Sequence, residues 1–160
     1  MSEKRMKKEQ ETIKIAVVDG MGGSIGTQIV LELRSALPED IDIIALGTNA
    51  IATGNMMKAK ATRGATGENA IEFSIGEADF IIGSLSILVP NSMMGEVTPR
   101  IATAIASAKG RKILLPVSNP PLEILGTMKR PLQQLIKDAI QIVKEALGIF
   151  DKAENEKEKE

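Results

Sequence analysis

Residues 13–33 begin with a largely apolar stretch, Ile13 to Val18. They pass through Asp19-Gly20-Met21-Gly22-Gly23-Ser24-Ile25-Gly26 and continue into Ile29-Val30-Leu31-Glu32-Leu33. The order is buried strand, glycine-rich turn, helix. Four glycines in the seven positions 20–26 let the backbone turn tightly and bring bare N–H groups to a helix N-terminus. Such an arrangement holds anions, phosphate above all. A tight strand-to-helix junction that binds nothing is the plainer alternative, but four glycines exceed what a turn alone needs. The expected cofactor contacts on the turn are therefore Gly20, Met21, Gly22, Gly23, Ser24, Ile25 and Gly26.

Known phosphate motifs fit only in part. A G-x-x-x-x-G-K-[ST] loop is excluded, because Thr27-Gln28 follow Gly26 where lysine is needed. The dinucleotide pattern G-x-G-x-x-G/A matches at Gly20 and Gly22 and finds Ile25 in third place, with Gly26 one residue late. The turn nearly mimics that of short-chain dehydrogenases, whose catalytic tyrosine this tyrosine-free chain lacks. Dinucleotide sites usually carry an acid at the end of the second strand. Here that strand ends Leu46-Gly47-Thr48-Asn49, with Asp42 at the other end, which counts against NAD(H) and equally against S-adenosylmethionine. Thr48 and Asn49 remain candidates for a ribose or a 2′-phosphate. NAD(P) or another nucleotide is the expected cofactor class.

Along the chain, strands are expected at 12–19, 41–46, 78–83 and 112–117, and helices at 24–37, 50–60, 67–76, 98–108 and 131–147. Asn49, Thr66 and Thr98 are the expected N-caps. Strands alternating with helices predict a Rossmann-like three-layer α/β sandwich, a mostly parallel sheet in the order 3-2-1-4. Residues 122–125, if they pair, pair antiparallel as a fifth edge strand, because 118–121 are too few for a crossover. Residues 63–69 and 84–97 are expected across the C-terminal edge of the sheet, where ligands of such folds bind. They add Arg63, Asn69 and Asn91 to the candidate site. Lys58, Lys60 and Arg63 could hold a distal phosphate, although a solvated helix face is the plainer and slightly better reading. Asp19 is expected to orient the turn by accepting its N–H groups.

Composition removes many chemistries. The 160 residues include no Cys, His, Tyr or Trp, which excludes thiolate nucleophiles, cysteine zinc sites and Ser-His-Asp arrangements. A formal net charge of −1 argues against a nucleic-acid partner, and no apolar run is long enough to span a bilayer. No metal site is expected. The charged ends 1–11 and 151–160 are expected to be disordered tails around one domain, 12–150, in a cytoplasmic protein. Met56, Met57, Met93 and Met94, with Leu85, Ile87, Leu88 and Val89, suggest more apolar surface than a monomer exposes, and so a homodimer.

Four stretches carry a family resemblance: 19–26, Gly47-Thr-Asn-Ala-Ile-Ala-Thr-Gly-Asn-Met56, Gly64-Ala-Thr-Gly-Glu-Asn-Ala70 and Asn91-Ser-Met-Met-Gly-Glu96. The chain resembles a bacterial family of small Rossmann-like proteins described as a domain of unknown function, across most of residues 13–147. The resemblance implies the Rossmann-like fold and gathers these motifs at one site, while bringing no activity or cofactor. The family has glycine where Ser24 stands, which narrows the room for a ligand atom there. Three readings follow: a nucleotide- or dinucleotide-binding protein with a small phosphate-containing ligand, a non-catalytic homodimeric scaffold, and a metal-assisted enzyme using Glu68 or Glu96 on a phosphorylated substrate.

Overall fold

The computed structural model describes residues 11–117 and 122–150, so both charged tails, Glu11 excepted, lie outside the described residues. Strands β1 (Lys14–Asp19), β2 (Asp42–Gly47), β3 (Arg63–Thr66), β4 (Phe80–Ser84) and β5 (Arg111–Leu115) form one sheet, every neighbouring pair parallel, in the order β3-β2-β1-β4-β5. The α-helices are α1 (Ser24–Ala36), α2 (Ala50–Lys58), α3 (Glu68–Ser74), α4 (Pro99–Ser107) and α5 (Leu132–Leu147). From β1 to β3 the chain steps one way across the sheet, and from β4 to β5 the other. Right-handed crossovers then put α1 and α2 on one face and α3 and α4 on the opposite one.

The core follows from that winding. Ile15, Val17, Ile43, Ala45 and Ile82 pack with Ile29, Leu33 and Met56 of α1 and α2 and with Ile136 and Ile140 of α5. The alternate residues Ala16, Val18, Ile44, Leu46 and Ile81 pack with Ile71, Ile101 and Ile105 on the other face. Strands buried on both faces read as continuous apolar runs, because neither parity of side chain is left for water. Each buried Ile or Leu contributes about 1.5–3 kcal/mol.

Two topological expectations need correction. Residues 63–66, expected as part of a loop, form β3 and pair with Ile44 to Gly47. The order 3-2-1-4 thus recurs with a different third strand. The segment expected in third place is β4, which lies against β1 and not against β2. The sequence disguised β3 because an edge strand has little to bury: Arg63, Gly64 and Thr66 are exposed. The fifth strand is the parallel Arg111–Leu115, not an antiparallel 122–125; Leu122 to Leu125 are described but belong to no strand. Thr66 does not cap α3. Its hydroxyl donates to Thr53 Oγ1 at 2.8 Å, and Gly67, at φ +97°, occupies the cap. Asn49 and Thr98 cap α2 and α4 through their side-chain oxygens.

Candidate functional site

β1 ends at Asp19, whose side chain is buried behind the turn. Its Oδ1 accepts the Gly20 N–H at 2.8 Å and its Oδ2 the Gly26 N–H at 2.7 Å, so one carboxylate clamps both ends of the glycine stretch. Burial pushes the Asp19 carboxyl above its ordinary value; the Gly26 and Gly20 amides oppose that rise, and the charge of Glu96 adds to it. Gly23, at φ +72°, sits where a side chain would meet the Ala52 backbone of α2 at 2.7 Å, so α1 and α2 converge at the turn.

A second carboxylate reaches the turn from the far side of the sheet. The connection after β4 passes through a 3₁₀ turn, Leu85–Leu88, and then winds through positive φ at Asn91, Met93, Met94 and Gly95. It delivers Glu96, whose Oε1 accepts from the Met21 N–H at 3.0 Å, Thr48 Oγ1 at 2.7 Å and Asn49 Nδ2 at 2.7 Å. Burial pulls the Glu96 carboxyl upward, but its bonds from Thr48, Asn49 and Met21 together leave it below the usual glutamate value. Asn49 also donates to the Met21 carbonyl at 2.8 Å, and Asn55 of α2 donates to the Gly22 carbonyl at 2.8 Å. The turn is therefore held from α2, from the end of β2 and from the β4 connection.

Space around the four glycines separates two kinds. A Cβ on Gly20 would fall 2.5 Å from Thr48 Oγ1 and 2.7 Å from Met93 Sδ, and one on Gly26 would fall 2.6 Å from Met56 Sδ. Gly20, Gly23 and Gly26 are thus accounted for by the protein's own packing. Gly22 is not: its φ is not positive, and a Cβ there would meet nothing within 4 Å. Gly22 and Ser24 are exposed, and among the described residues the N–H groups of Gly22, Ser24 and Ile25 have no acceptor. A groove of about 530 Å³ opens from Ser24 along Thr27, Gln28 and Leu31 of α1 and Asn55 and Lys58 of α2.

Of the residues expected at the site, the turn residues, Thr48 and Asn49 come together, while Arg63, Asn69 and Asn91 do not join them. Arg63 begins β3 and pairs with Asp42 at 2.9 Å and Glu77 at 3.0 Å, at the opposite edge of the sheet. The bonds to Asp42 and Glu77 raise its pKa, so its charge is paired away from the turn. The misplacement follows directly from reading 63–66 as a loop. Asn69 is exposed in the first turn of α3; the cap residue Gly67 donates its N–H to the Gly47 carbonyl at 2.8 Å, but the Asn69 side chain makes no hydrogen bond to the site residues among those described. Asn91 serves the loop itself: its N–H donates to the Val97 carbonyl at 2.7 Å and its carbonyl accepts from Gly95. Glu68, offered for metal-assisted chemistry, pairs with Arg100 at 3.3 Å, and among the described residues no acidic cluster could hold a metal ion. Sequence reading gives Asn55 to turn and cap chemistry, not to the site, and it missed the role of Glu96. The signal for Glu96 was its place in the 91–96 stretch, but nothing local says that it spans to the end of β2.

No helix among the described residues is long and apolar enough to cross a membrane. Comparison with curated proteins finds no match. Among solved structures, the chain is similar to a universal stress protein crystallised in complex with cAMP. The identity is 18%, 65% of this chain and 98% of that one are covered, and the TM-score is 0.36. A family model described as "Domain of unknown function (DUF3842)" matches residues 14–148, and with the fold and the site in place the chain belongs to that family.

Proposed function

We propose that the chain binds the phosphate of a nucleotide or dinucleotide at the N-terminus of α1, on the amides of Gly22, Ser24 and Ile25. Gly20, Met21, Gly23 and Gly26 shape the turn, and NAD(P) or another nucleotide is the ligand class. The observation that carries this reading is Gly22. It is a glycine that neither backbone conformation nor neighbouring atoms require, beside an unpartnered amide and open to solvent. An anion there gains both hydrogen bonds and the positive end of the α1 dipole. The groove from Ser24 to Lys58 gives the rest of a ligand a largely apolar floor, with polar groups at Ser24, Thr27, Gln28 and Asn55 and one cation.

The test is a thermal-shift and calorimetric panel of NAD(P)(H), ATP, GTP and CoA on the wild type and on Gly22→Val. Added atoms at this open position change folding stability by less than about 1 kcal/mol, yet they fill the approach to the amides. Expected are stabilisation of the wild type by at least one ligand and its loss in the variant at an unchanged melting temperature. No stabilisation by any member of the panel overturns the reading.

Self-association is a second reading, favoured by one observation. Met94, at the crest of the β4 connection, is 93% exposed. Most of the neighbouring apolar run turns inward, with Ile87 buried and Leu88 and Met93 packed on the core, so Met94 carries the case for a homodimer.

A further inference from the structure

Only one oxygen of the Glu96 carboxylate is engaged. Oε1 takes all three donors, Met21 N–H, Thr48 Oγ1 and Asn49 Nδ2. Oε2 has no partner among the described residues. No unpartnered side-chain oxygen or nitrogen among those residues is fully buried, so Oε2 keeps some contact with solvent. The carboxylate is thus fixed in position, through three bonds to two strand ends, with its second oxygen left without a protein partner among the described residues.

Its place matters more than its charge. In doubly wound sheets a nucleotide lies across the point where the strand order reverses, with an acid at the end of the second strand holding the ribose hydroxyls. β2 carries no such acid; it ends in Gly47, Thr48 and Asn49. The connection after β4, on the other side of β1, brings Glu96 onto Thr48 and Asn49. Gly20 makes that approach feasible, since a Cβ there would stand 3.2 Å from Glu96 Oε1. A carboxylate therefore stands at the end of β2 although β2 does not encode it, one residue along the turn from the open side of Gly22.

We propose that Glu96 Oε2 accepts the hydroxyls of a ribose, making the site selective for ribonucleotides with a free 2′-hydroxyl. This rests on the phosphate reading and deepens it. A sugar without the 2′-hydroxyl leaves the carboxylate one donor short, and a 2′-phosphate sets a second anion against it. A hydrogen bond to a charged group corresponds to a preference of at least about tenfold.

The experiment is calorimetry on the wild-type protein with ATP against 2′-deoxy-ATP, GTP against 2′-deoxy-GTP, and NAD⁺ against NADP⁺. It is repeated on Glu96→Gln, whose amide oxygen can keep the three internal bonds. Expected is at least a tenfold preference for the ribose form and for NAD⁺ in the wild type, with both preferences shrinking in the variant. Equal binding of ribo and deoxy forms overturns the role of Glu96 and leaves the phosphate reading standing. If no ligand binds, both fall. Because the ribo/deoxy ratio is read on the wild type, a poorly folded variant does not decide the outcome.

Discussion

At the scale of single residues, Asp19 and Glu96 serve the same turn and are driven in opposite directions. Burial dominates at Asp19 and raises its pKa above the ordinary 3.8. At Glu96 three donors outweigh burial and lower its pKa below the ordinary 4.5. The linkage signs therefore differ. Glu96 contributes stability that is present above pH 4.5 and is lost as pH falls through its folded-state value. Ionised Asp19 costs stability at neutral pH, a cost relieved as pH falls through its raised value. Carboxyl-detected NMR titration is expected to place the Asp19 midpoint above 3.8 and the Glu96 midpoint below 4.5. A Glu96 midpoint at or above 4.5 would mean that Thr48, Asn49 and Met21 do not hold it in solution. The Asp19 clamp was legible in the sequence, since an acid just before a glycine turn has amides within reach. The Glu96 bond was not, because it joins positions 21 and 96, and no local rule encodes a contact across 75 residues.

At the scale of elements, the N-terminus of α2 does more than start a helix. Asn49 Oδ1 accepts from the Ala52 N–H at 2.9 Å, while Nδ2 ties the Met21 carbonyl and Glu96 together. Asn49→Ala removes a cap and two ties at once. It is expected to cost about 1–2 kcal/mol in urea unfolding. Asn49→Asp keeps the cap but turns an oxygen on Glu96, so it should weaken the turn more at neutral pH than at pH 3. If both variants unfold like the wild type, Asn49 does not couple α2 to the turn. Asn49 was readable as a cap because capping is local chemistry. β3 was unreadable for the converse reason. Its four residues, Arg63-Gly64-Ala65-Thr66, pair with no strand but β2 among the described residues, with Thr53 and Met57 of α2 lying over Gly64, so neither apolar periodicity nor length marks a strand. That single omission displaced Arg63 from the opposite edge to the site, and it put the wrong segment beside β2.

At the scale of the molecule, the winding explains both what was legible and where the surface is unfinished. The apolar runs at 15–18, 43–46 and 80–83 announce strands covered on both faces, which is enough for a doubly wound parallel sheet. Its C-terminal end is different: the connections after β4 and β5 expose Met94 at 93%, Leu125 at 93% and Met128 at 79%. Leu85 after β4 and Pro116 after β5 line one groove with Leu122 and Ile124, so both connections meet on the same rim. Water contact with several large side chains at one end favours covering them with a second copy. The two methionines of the crest are not equivalent in a test. Met93 packs on the core and against Gly20, so a charge there would disturb the turn as well as any interface. Met94 touches neither, and Met94→Lys isolates the surface. Multi-angle light scattering is expected to give a dimer for the wild type and a monomer for Met94→Lys, with unchanged melting temperature at low concentration. A wild-type monomer, or a variant that remains dimeric, removes this rim as the interface while leaving the proposed phosphate site at Gly22 untouched.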